Sequence, residues 1–256
     1  MIQEVLAVDL DGTLLHPEPE AIAVWGRTRY QYLSQTTANK LAEISHILPV
    51  VIATARHAQT VKSLVEQLPP SNFFGFVLEN GLVTKKNINE QSSIDNSLLA
   101  IASLLPEWTL IEGYENCLGI VPPSDLKNPQ EILQQILSNF PIQGHVYVDG
   151  HKLFVYPKTP SKLSGLKALG CFPTMAMGND LNDLDMLSIS PHPLTVSNAH
   201  VKVKALINGD RGYCSPLLSH AATEDLLNHA ISRLNNLGEI KGNTLEQSAP
   251  SCSDPK

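Results

Sequence analysis

The chain of 256 residues is 43% hydrophobic, 17% charged and 5% aromatic, which is typical of a globular protein with one large domain or a domain plus a lid. A formal net charge of −7 and the scarcity of aromatic residues argue against nucleic-acid binding, because that function requires a basic face. The four cysteines are widely spaced and lack the spacing of zinc ligands, so we expect free thiols in a reducing cytoplasm.

Targeting and membrane segments are not expected from the sequence. No basic segment followed by an apolar stretch opens the chain, so we expect no signal peptide. The longest apolar run, residues 47–53, is far too short to span a bilayer. These features favour a cytoplasmic protein with neither a membrane nor a nucleic acid as partner.

In chain order, short runs that are apolar at nearly every position alternate with segments of helical periodicity. Such runs are typical of strands covered on both faces by helices. The predicted strands are residues 5–8, 47–53, 74–78, 174–177 and 194–197, and the predicted helices between them are 37–47, 58–67 and 162–169. The alternation predicts an α/β fold with a parallel sheet.

The middle of the chain has a different pattern. Residues 93–105 and 129–140 predict helices, residues 108–114 and 118–121 predict paired strands, and 145–148 with 152–156 predict a hairpin across Asp149-Gly150. This order predicts an α+β domain inserted into the parallel core. We therefore expect a discontinuous core of residues 1–85 and 157–237, a cap of residues 86–156, and a polar, disordered tail at 238–256.

Two carboxylates follow the first predicted strand directly. Asp9 and Asp11 stand one residue apart, and Gly12 allows the chain to turn away. Ligands of open α/β sheets bind beyond the carboxyl ends of the strands. One carboxylate there could attack phosphorus while the other transfers the proton of the leaving group. A simple turn after a strand would also explain the pair.

Four motifs in order resemble those of the haloacid dehalogenase superfamily of phosphohydrolases. They are Asp-Leu-Asp-Gly-Thr-Leu-Leu from Asp9, Thr54 after the second long strand, Lys162, and Gly-Asn-Asp-Leu-Asn-Asp from Gly178 to Asp183. The resemblance implies a Rossmannoid parallel core, with Asp9 as the nucleophile and Asp11 as the acid–base residue. It also implies that Thr54 and Lys162 bind the phosphoryl group. The insertion between the second and third motifs resembles the type-two cap of the Cof-like branch, which includes sugar phosphatases and mannosylglycerate-type phosphatases.

A cation is needed where several carboxylates face a phosphate, and oxygen ligands imply Mg²⁺. The resemblance implies that Asp9 binds it through the side chain and Asp11 through the backbone carbonyl. The sequence departs from the usual motif, because Asn179 stands where the family has an aspartate. Either Asn179 binds and Asp183 supplies charge, or the loop presents Asp180 instead. The sequence leaves both open.

Three further residues are candidates for substrate binding. Arg56 follows Thr54 by two positions, and Asn80 and Asn198 resemble family positions that line the site. A surface arginine and two turn or capping asparagines would be the structural alternatives.

Together these features predict a Mg²⁺-dependent phosphatase acting on a small phosphorylated metabolite, such as a sugar phosphate or a phosphoglycerate-type ester. The alternatives are a phosphomutase of the phosphomannomutase type and a catalytically degenerate binding protein. A signalling receiver is disfavoured by the length of the chain. The sequence does not determine the oligomeric state.

Overall fold

The computed structural model describes residues 2–26, 29–90, 96–142, 144–207 and 211–246, with residues 237–246 as backbone alone. The strands of these residues are β1 Gln3–Val8, β2 Ile22–Trp25, β3 Tyr30–Leu33, β4 Val50–Ala53, β5 Phe73–Leu78, β6 Val83–Lys85, β7 Thr109–Ile111, β8 Leu118–Val121, β9 His145–Asp149, β10 Lys152–Tyr156, β11 Cys171–Met177, β12 His192–Val196 and β13 Tyr213–Ser215. The α-helices are α1 Gln35–Ile47, α2 Ala58–Val65, α3 Asn96–Ser103, α4 Pro129–Leu137, α5 Lys162–Ala168, α6 Leu184–Ile189, α7 Val201–Ile207 and α8 Ser219–Glu246. Two single turns of 3₁₀ helix lie at Glu79–Gly81 and Leu181–Asp183.

Seven of the described strands form the main sheet, in the order β13-β12-β11-β1-β4-β5-β6. All neighbouring pairs are parallel except β5 with β6. The central strands are buried along nearly their whole length because helices cover both faces of a parallel sheet. The predicted α/β fold with a parallel core is confirmed. β1 is the central strand, between β11 and β4, so Asp9, which follows it, stands in the middle of the sheet edge formed by the carboxyl ends of the parallel strands.

The predicted second sheet is also present. Four described strands, in the order β7-β8-β10-β9, pair antiparallel. Apolar side chains of α3 and α4, among them Leu98 and Leu133, pack with Ile120 and Leu153 of the sheet in a separate hydrophobic cluster. The inserted α+β cap thus has its own core. The boundaries at residues 86 and 156 stay predictions, and residues 91–95 of that segment lie outside the described residues.

Several elements differ from the predicted ones. Strand β4 begins at Val50, because residue 47 is the last residue of α1 and Leu48 caps that helix. The hairpin of β2 and β3, the edge strands β6 and β13 and the helices α7 and α8 were not predicted. Helix α8 continues to Glu246, within the segment 238–256 expected as a tail, and residues 247–256 lie outside the described part. Within the described residues, no helix combines the length and apolar character needed to cross a membrane.

Candidate active site

Polar residues follow three neighbouring strands of the main sheet at their carboxyl ends. Asp9 follows β1, Thr54 follows β4, and Gly178-Asn179 follow β11. The backbone N–H of Asp9 donates to the carbonyl of Met177 (2.9 Å), which holds the ends of β1 and β11 side by side. The parallel sheet therefore brings three of the predicted motifs to one edge.

A buried lysine lies between two carboxylates at this edge. The Nζ atom of Lys162 donates to Asp9 Oδ1 and to Asp183 Oδ1, each at 2.6 Å, and all three side chains are buried. Burial and then the charge of Asp183 raise the pKa of Asp9 to about 7, although Lys162 acts in the opposite direction. Burial alone would lower the pKa of Lys162, but the charges of Asp183 and Asp9 outweigh it and raise that pKa. The lysine is therefore a permanent cation.

Helix α5 places Lys162 at its first position. Ser161 caps the helix by accepting a hydrogen bond from the N–H of Ser164 (3.0 Å). The carboxylate of Asp185 accepts from the Ser161 hydroxyl (2.6 Å) and from the N–H of Leu163 (3.1 Å). These bonds fix the start of α5 against α6, so the lysine enters the site from a rigid helix end.

The loop after β11 folds back on the carboxylate of Asp183. Its Oδ2 accepts from the N–H groups of Asn179 (2.9 Å) and Asp180 (3.0 Å), while its Oδ1 accepts from Lys162. The carboxylate of Asp180 accepts from the N–H of Leu181 (2.7 Å) and caps the 3₁₀ turn. Asp183 thus faces inward and organises the loop, whereas Asp180 is exposed at the cavity.

Asn179 and Asp9 approach each other around Thr13. The Thr13 hydroxyl lies 3.2 Å from Asp9 Oδ2 and 3.3 Å from Asn179 Oδ1, and can donate to either. Gly12 adopts a left-handed φ of 78°, and a Cβ there would lie 2.2 Å from the Asn179 amide nitrogen. A side chain at position 12 would therefore displace Asn179 from its place near Asp9.

Thr13 is supported from behind by helix α8. The hydroxyl of Thr223 donates to the Thr13 carbonyl (2.6 Å) and lies 2.7 Å from Nε2 of the buried His16. Burial, and secondarily His220, lower the pKa of His16 to about 4, so this imidazole is neutral at physiological pH. The loop that carries Asp9 and Asp11 is therefore held to α8 by uncharged groups.

Asp11 is half-exposed and forms a two-pronged ion pair with the buried Arg56. The Nε of Arg56 donates to Asp11 Oδ2 (2.8 Å) and the Nη2 donates to Oδ1 (2.6 Å). The Nη1 of the same arginine donates to the carbonyl of Trp25 in the β2–β3 hairpin (2.9 Å). Arg56 thus fixes the direction of Asp11 and ties it to the hairpin, and its role in substrate binding stays a prediction.

A cavity of about 780 Å³ opens beyond these residues, with the core on one side and the cap on the other. Its core side includes both motif carboxylates and the acidic loop, and its cap side is formed mainly by β9 and the end of β10. The lining residues used below are Asp9, Asp11, Asn179, Asp180, Asn80, Asn182 and Tyr156. The volume suits a small organic ligand.

The remaining predicted residues occupy different positions. Thr54 is fully buried, and its hydroxyl oxygen accepts from the N–H of Arg56 (3.2 Å). Asn80 lines the cavity. Asn198 lies in an exposed turn after β12 and is not among the lining residues, so its role in substrate binding stays a prediction.

Three residues of the site were not selected from the sequence. Thr13 and Asn182 stand inside the quoted motifs, and their positions could have marked them. Tyr156 ends the predicted strand 152–156, where a tyrosine is typical of sheet packing. Its side chain is buried, yet its hydroxyl accepts from the amide of Asn80 (3.2 Å).

The donor set at Asp9 is compatible with a hard cation that prefers oxygen. Within the described residues, no cluster of three or more His, Cys, Asp or Glu side chains is placed to hold a metal ion. A carboxylate oxygen of Asp9 and the amide oxygen of Asn179 nevertheless lie on the same side of the site, each within 3.3 Å of the Thr13 hydroxyl. Mg²⁺ binds proteins through one or two carboxylates and keeps several waters, so such a sparse set fits it.

The family of the chain follows from its sequence. The model of the haloacid dehalogenase-like hydrolases matches residues 6–106 and 108–208, and the chain belongs to that family. This confirms the resemblance found in the four motifs. A comparison with proteins of curated function gave no significant match.

The solved structures that share this fold include the following three. A protein from Thermotoga maritima has a TM-score of 0.64 at 17% identity, over 90% of this chain and 97% of its own. The sucrose-phosphatase of Synechocystis sp. PCC6803, determined with sucrose and phosphate, has a TM-score of 0.56 at 16% identity, over 92% and 99%. A sugar phosphatase of haloacid dehalogenase subclass IIB has a TM-score of 0.55 at 18% identity, over 89% and 98%. At these identities the similarity establishes the shared fold, cap included.

Proposed function

We propose that this chain is a Mg²⁺-dependent phosphatase that hydrolyses a small phosphorylated metabolite, a sugar phosphate or a phosphoglycerate-type ester. The observation that carries the proposal is the position of Asp9, buried beside Lys162 and opening on a cavity shared by core and cap. The family of hydrolases to which the chain belongs supports the reaction class. The sugar phosphatases among the structures of similar fold support the substrate class.

The chemistry assigned to the residues needs few components. A carboxylate oxygen of Asp9 attacks phosphorus, the bond from phosphorus to the leaving oxygen breaks, and Asp11 gives that oxygen a proton. Asp11 then takes a proton from water, which attacks the aspartyl-phosphate and releases inorganic phosphate and Asp9. Lys162 neutralises the equatorial oxygens and holds them together with the hydroxyl of Thr54, because phosphoryl transfer depends mainly on positioning and charge.

The residues that would hold Mg²⁺ are the side chain of Asp9, the backbone carbonyl of Asp11 and the side chain of Asn179. When bound, the ion supplies positive charge against the phosphoryl oxygens and the nucleophile. The carboxylate of Asp183 is engaged by Lys162 and two backbone N–H groups, so we assign it to the loop rather than to direct ligation. Asp180, exposed at the cavity, adds negative charge nearby.

The test is a screen of phosphorylated sugars, glycerates and nucleotides in Mg²⁺, with free phosphate as the readout. We expect steady release that stops in excess EDTA. The variant Asp9→Asn should lose at least about 10⁴-fold in kcat, because it removes the covalent nucleophile. It should remain folded, since Lys162 keeps Asp183 as a partner.

The outcomes separate the alternatives. A phosphomutase would convert a sugar phosphate into its isomer without releasing phosphate. A degenerate binding protein would bind a phosphorylated ligand without turnover. Asp9→Asn activity within tenfold of the wild-type value would contradict the role of Asp9, and full turnover in EDTA would contradict the metal requirement.

A further inference from the structure

The turn at Glu79–Gly81, directly after β5, has an unusual backbone. Its three residues all have left-handed φ angles of 51°, 56° and 96°. Glycine adopts this region without strain and asparagine enters it more readily than most residues, but a glutamate there costs about 1–2 kcal/mol. The left-handed Glu79 persists only where surrounding contacts hold it in place. The contacts of this turn therefore indicate what it does.

The backbone of the turn touches two catalytic motifs. The N–H of Asn80 donates to the carbonyl of Thr54 (2.9 Å), and the N–H of Glu79 donates to that of Arg56 (3.1 Å). A Cβ on Gly81 would lie 1.9 Å from the Ser161 carbonyl, so the turn packs directly against the start of α5. The left-handed backbone thus fits between the loop after β4 and the helix that carries Lys162.

The side chain of Glu79 connects the same turn to the cap. Its Oε1 accepts from the N–H of Glu115 (2.7 Å) and its Oε2 from the N–H of Asn116 (2.9 Å), both in the loop between β7 and β8. The Glu115 carboxylate in turn pairs with the buried Lys85 of the core strand β6 (2.8 Å). The cap loop is therefore fixed to the core next to Asn80.

The amide of Asn80 links the cap to the acidic loop. Its Nδ2 donates to the hydroxyl of Tyr156, the last residue of the cap strand β10, at 3.2 Å. Its Oδ1 accepts from the amide of Asn182 at 2.9 Å, inside the loop that also carries Asn179 and Asp183. The Asn80 amide thus joins the last residue of the cap strand β10 to the loop of residues 178–183, which lies beside Asp9.

We propose that Asn80 is a positioning residue for phosphoryl transfer. It fixes the loop of residues 178–183 relative to the cap, so that Asn179 and Lys162 are aligned with Asp9 while the cap covers the site. This rests on the proposed phosphatase function. It also reassigns Asn80, which was predicted to bind substrate, because its amide is engaged by two protein groups.

The test uses Asn80→Gly, Tyr156→Phe, Asn182→Ala and the double variant of the first two, with p-nitrophenyl phosphate as substrate. Glycine accepts the left-handed backbone, so Asn80→Gly removes the amide without adding strain. We expect kcat to fall about 10–100-fold, since small misalignments have effects of this size, while KM changes less than about threefold. The double variant should be no more than about twofold slower than Asn80→Gly, because both changes break one connection.

A matched control is Asn128→Gly. Asn128 is also a left-handed asparagine (φ 52°), but it is exposed at the start of α4 in the cap. Its replacement should leave kcat within about twofold of the wild-type value. Unchanged kcat in Asn80→Gly, a raised KM with unchanged kcat, or fully additive effects with Tyr156→Phe would each overturn the proposal.

Hydrogen exchange gives a second measurement that needs no turnover. Asn80→Gly and Tyr156→Phe should accelerate amide exchange in residues 178–184, whereas Asn128→Gly should not. Unchanged exchange in that segment would refute the positioning role. If the wild-type protein releases no phosphate yet the exchange result holds, the proposed function fails and the structural coupling stands.

Discussion

Replacing Lys162 with methionine tests the charge arrangement at the centre of the site. The change removes the cation that donates at 2.6 Å to both Asp9 and Asp183, and leaves two buried carboxylates facing each other. Removing one member of a buried ion pair costs about 3–5 kcal/mol. We expect a loss of that size in the free energy of unfolding at pH 8, together with loss of phosphatase activity.

The pH dependence of this loss has a definite sign. In the wild-type protein burial and Asp183 raise the pKa of Asp9 to about 7, although Lys162 lowers it. Removing the lysine should therefore keep a proton on one of the two carboxyls well above pH 7. The folded variant then binds more protons than the unfolded chain, so its stability decreases as the pH rises. Relative to wild type, the deficit should grow above pH 7 by up to about 1.4 kcal/mol per pH unit.

The assay is urea unfolding of the variant, of wild type and of Lys167→Met at pH 7 and pH 8. Lys167 lies on the same helix α5 but is exposed, so its replacement should change stability by less than about 0.5 kcal/mol. If Lys162→Met were as stable as Lys167→Met at both pH values, the three groups would not interact as described.

Two further predictions concern the departure at position 179 and the buried glutamate of the turn. Asn179→Asp should lower the Mg²⁺ concentration for half-maximal activity about tenfold, because a carboxylate replaces a neutral amide beside Asp9. The Kd for Mg²⁺ measured by calorimetry should fall by the same factor. An unchanged Kd would place the ion elsewhere. Burial raises the pKa of Glu79 from 4.5 to about 7, so the folded protein binds more protons than the unfolded chain and loses stability as pH rises through that window. Glu79→Gln should remove up to about 3 kcal/mol of this dependence between pH 4.5 and 7 in urea unfolding, and an unchanged slope would show that Glu79 does not titrate there.

The parallel core could be predicted because its strands are apolar at nearly every position. Burial on both faces requires that pattern, and the predicted strands 5–8 and 74–78 lie within β1 and β5. Asp9 could be placed because it directly follows a buried strand, and ligands of such sheets bind beyond the strand ends. Thr54 and Lys162 could be selected only through their resemblance to the family motifs. The hairpin of β2 and β3 escaped prediction because it has two four-residue strands and lacks a strong two-residue turn signal.

Most of the remaining differences between the predicted and the observed site arise from the directions in which side chains point. Spacing alone places Asp180 and Asp183 in one loop, but the 3₁₀ turn between them directs Asp183 inward to Lys162 and leaves Asp180 at the cavity. Likewise, Arg56 pairs with Asp11 across two separate segments of the chain. Periodicity describes which face of an element is buried, and it contains no information on partners that tertiary packing brings together.

The insertion of the cap has a consequence for how the protein is made. In the cap sheet, the hairpin of β9 and β10 joins strands that are adjacent along the chain, whereas in the core Gln3 pairs with Cys171. During synthesis, one edge of β1 therefore stays unpaired until the chain has been made as far as β11, at Cys171–Met177. Such long-range pairing is slow and exposes apolar strands meanwhile. We expect a prematurely terminated product that ends before Lys162 to be both inactive and prone to aggregate, because Asp9 would lack Lys162 and one edge of β1 would have no partner strand.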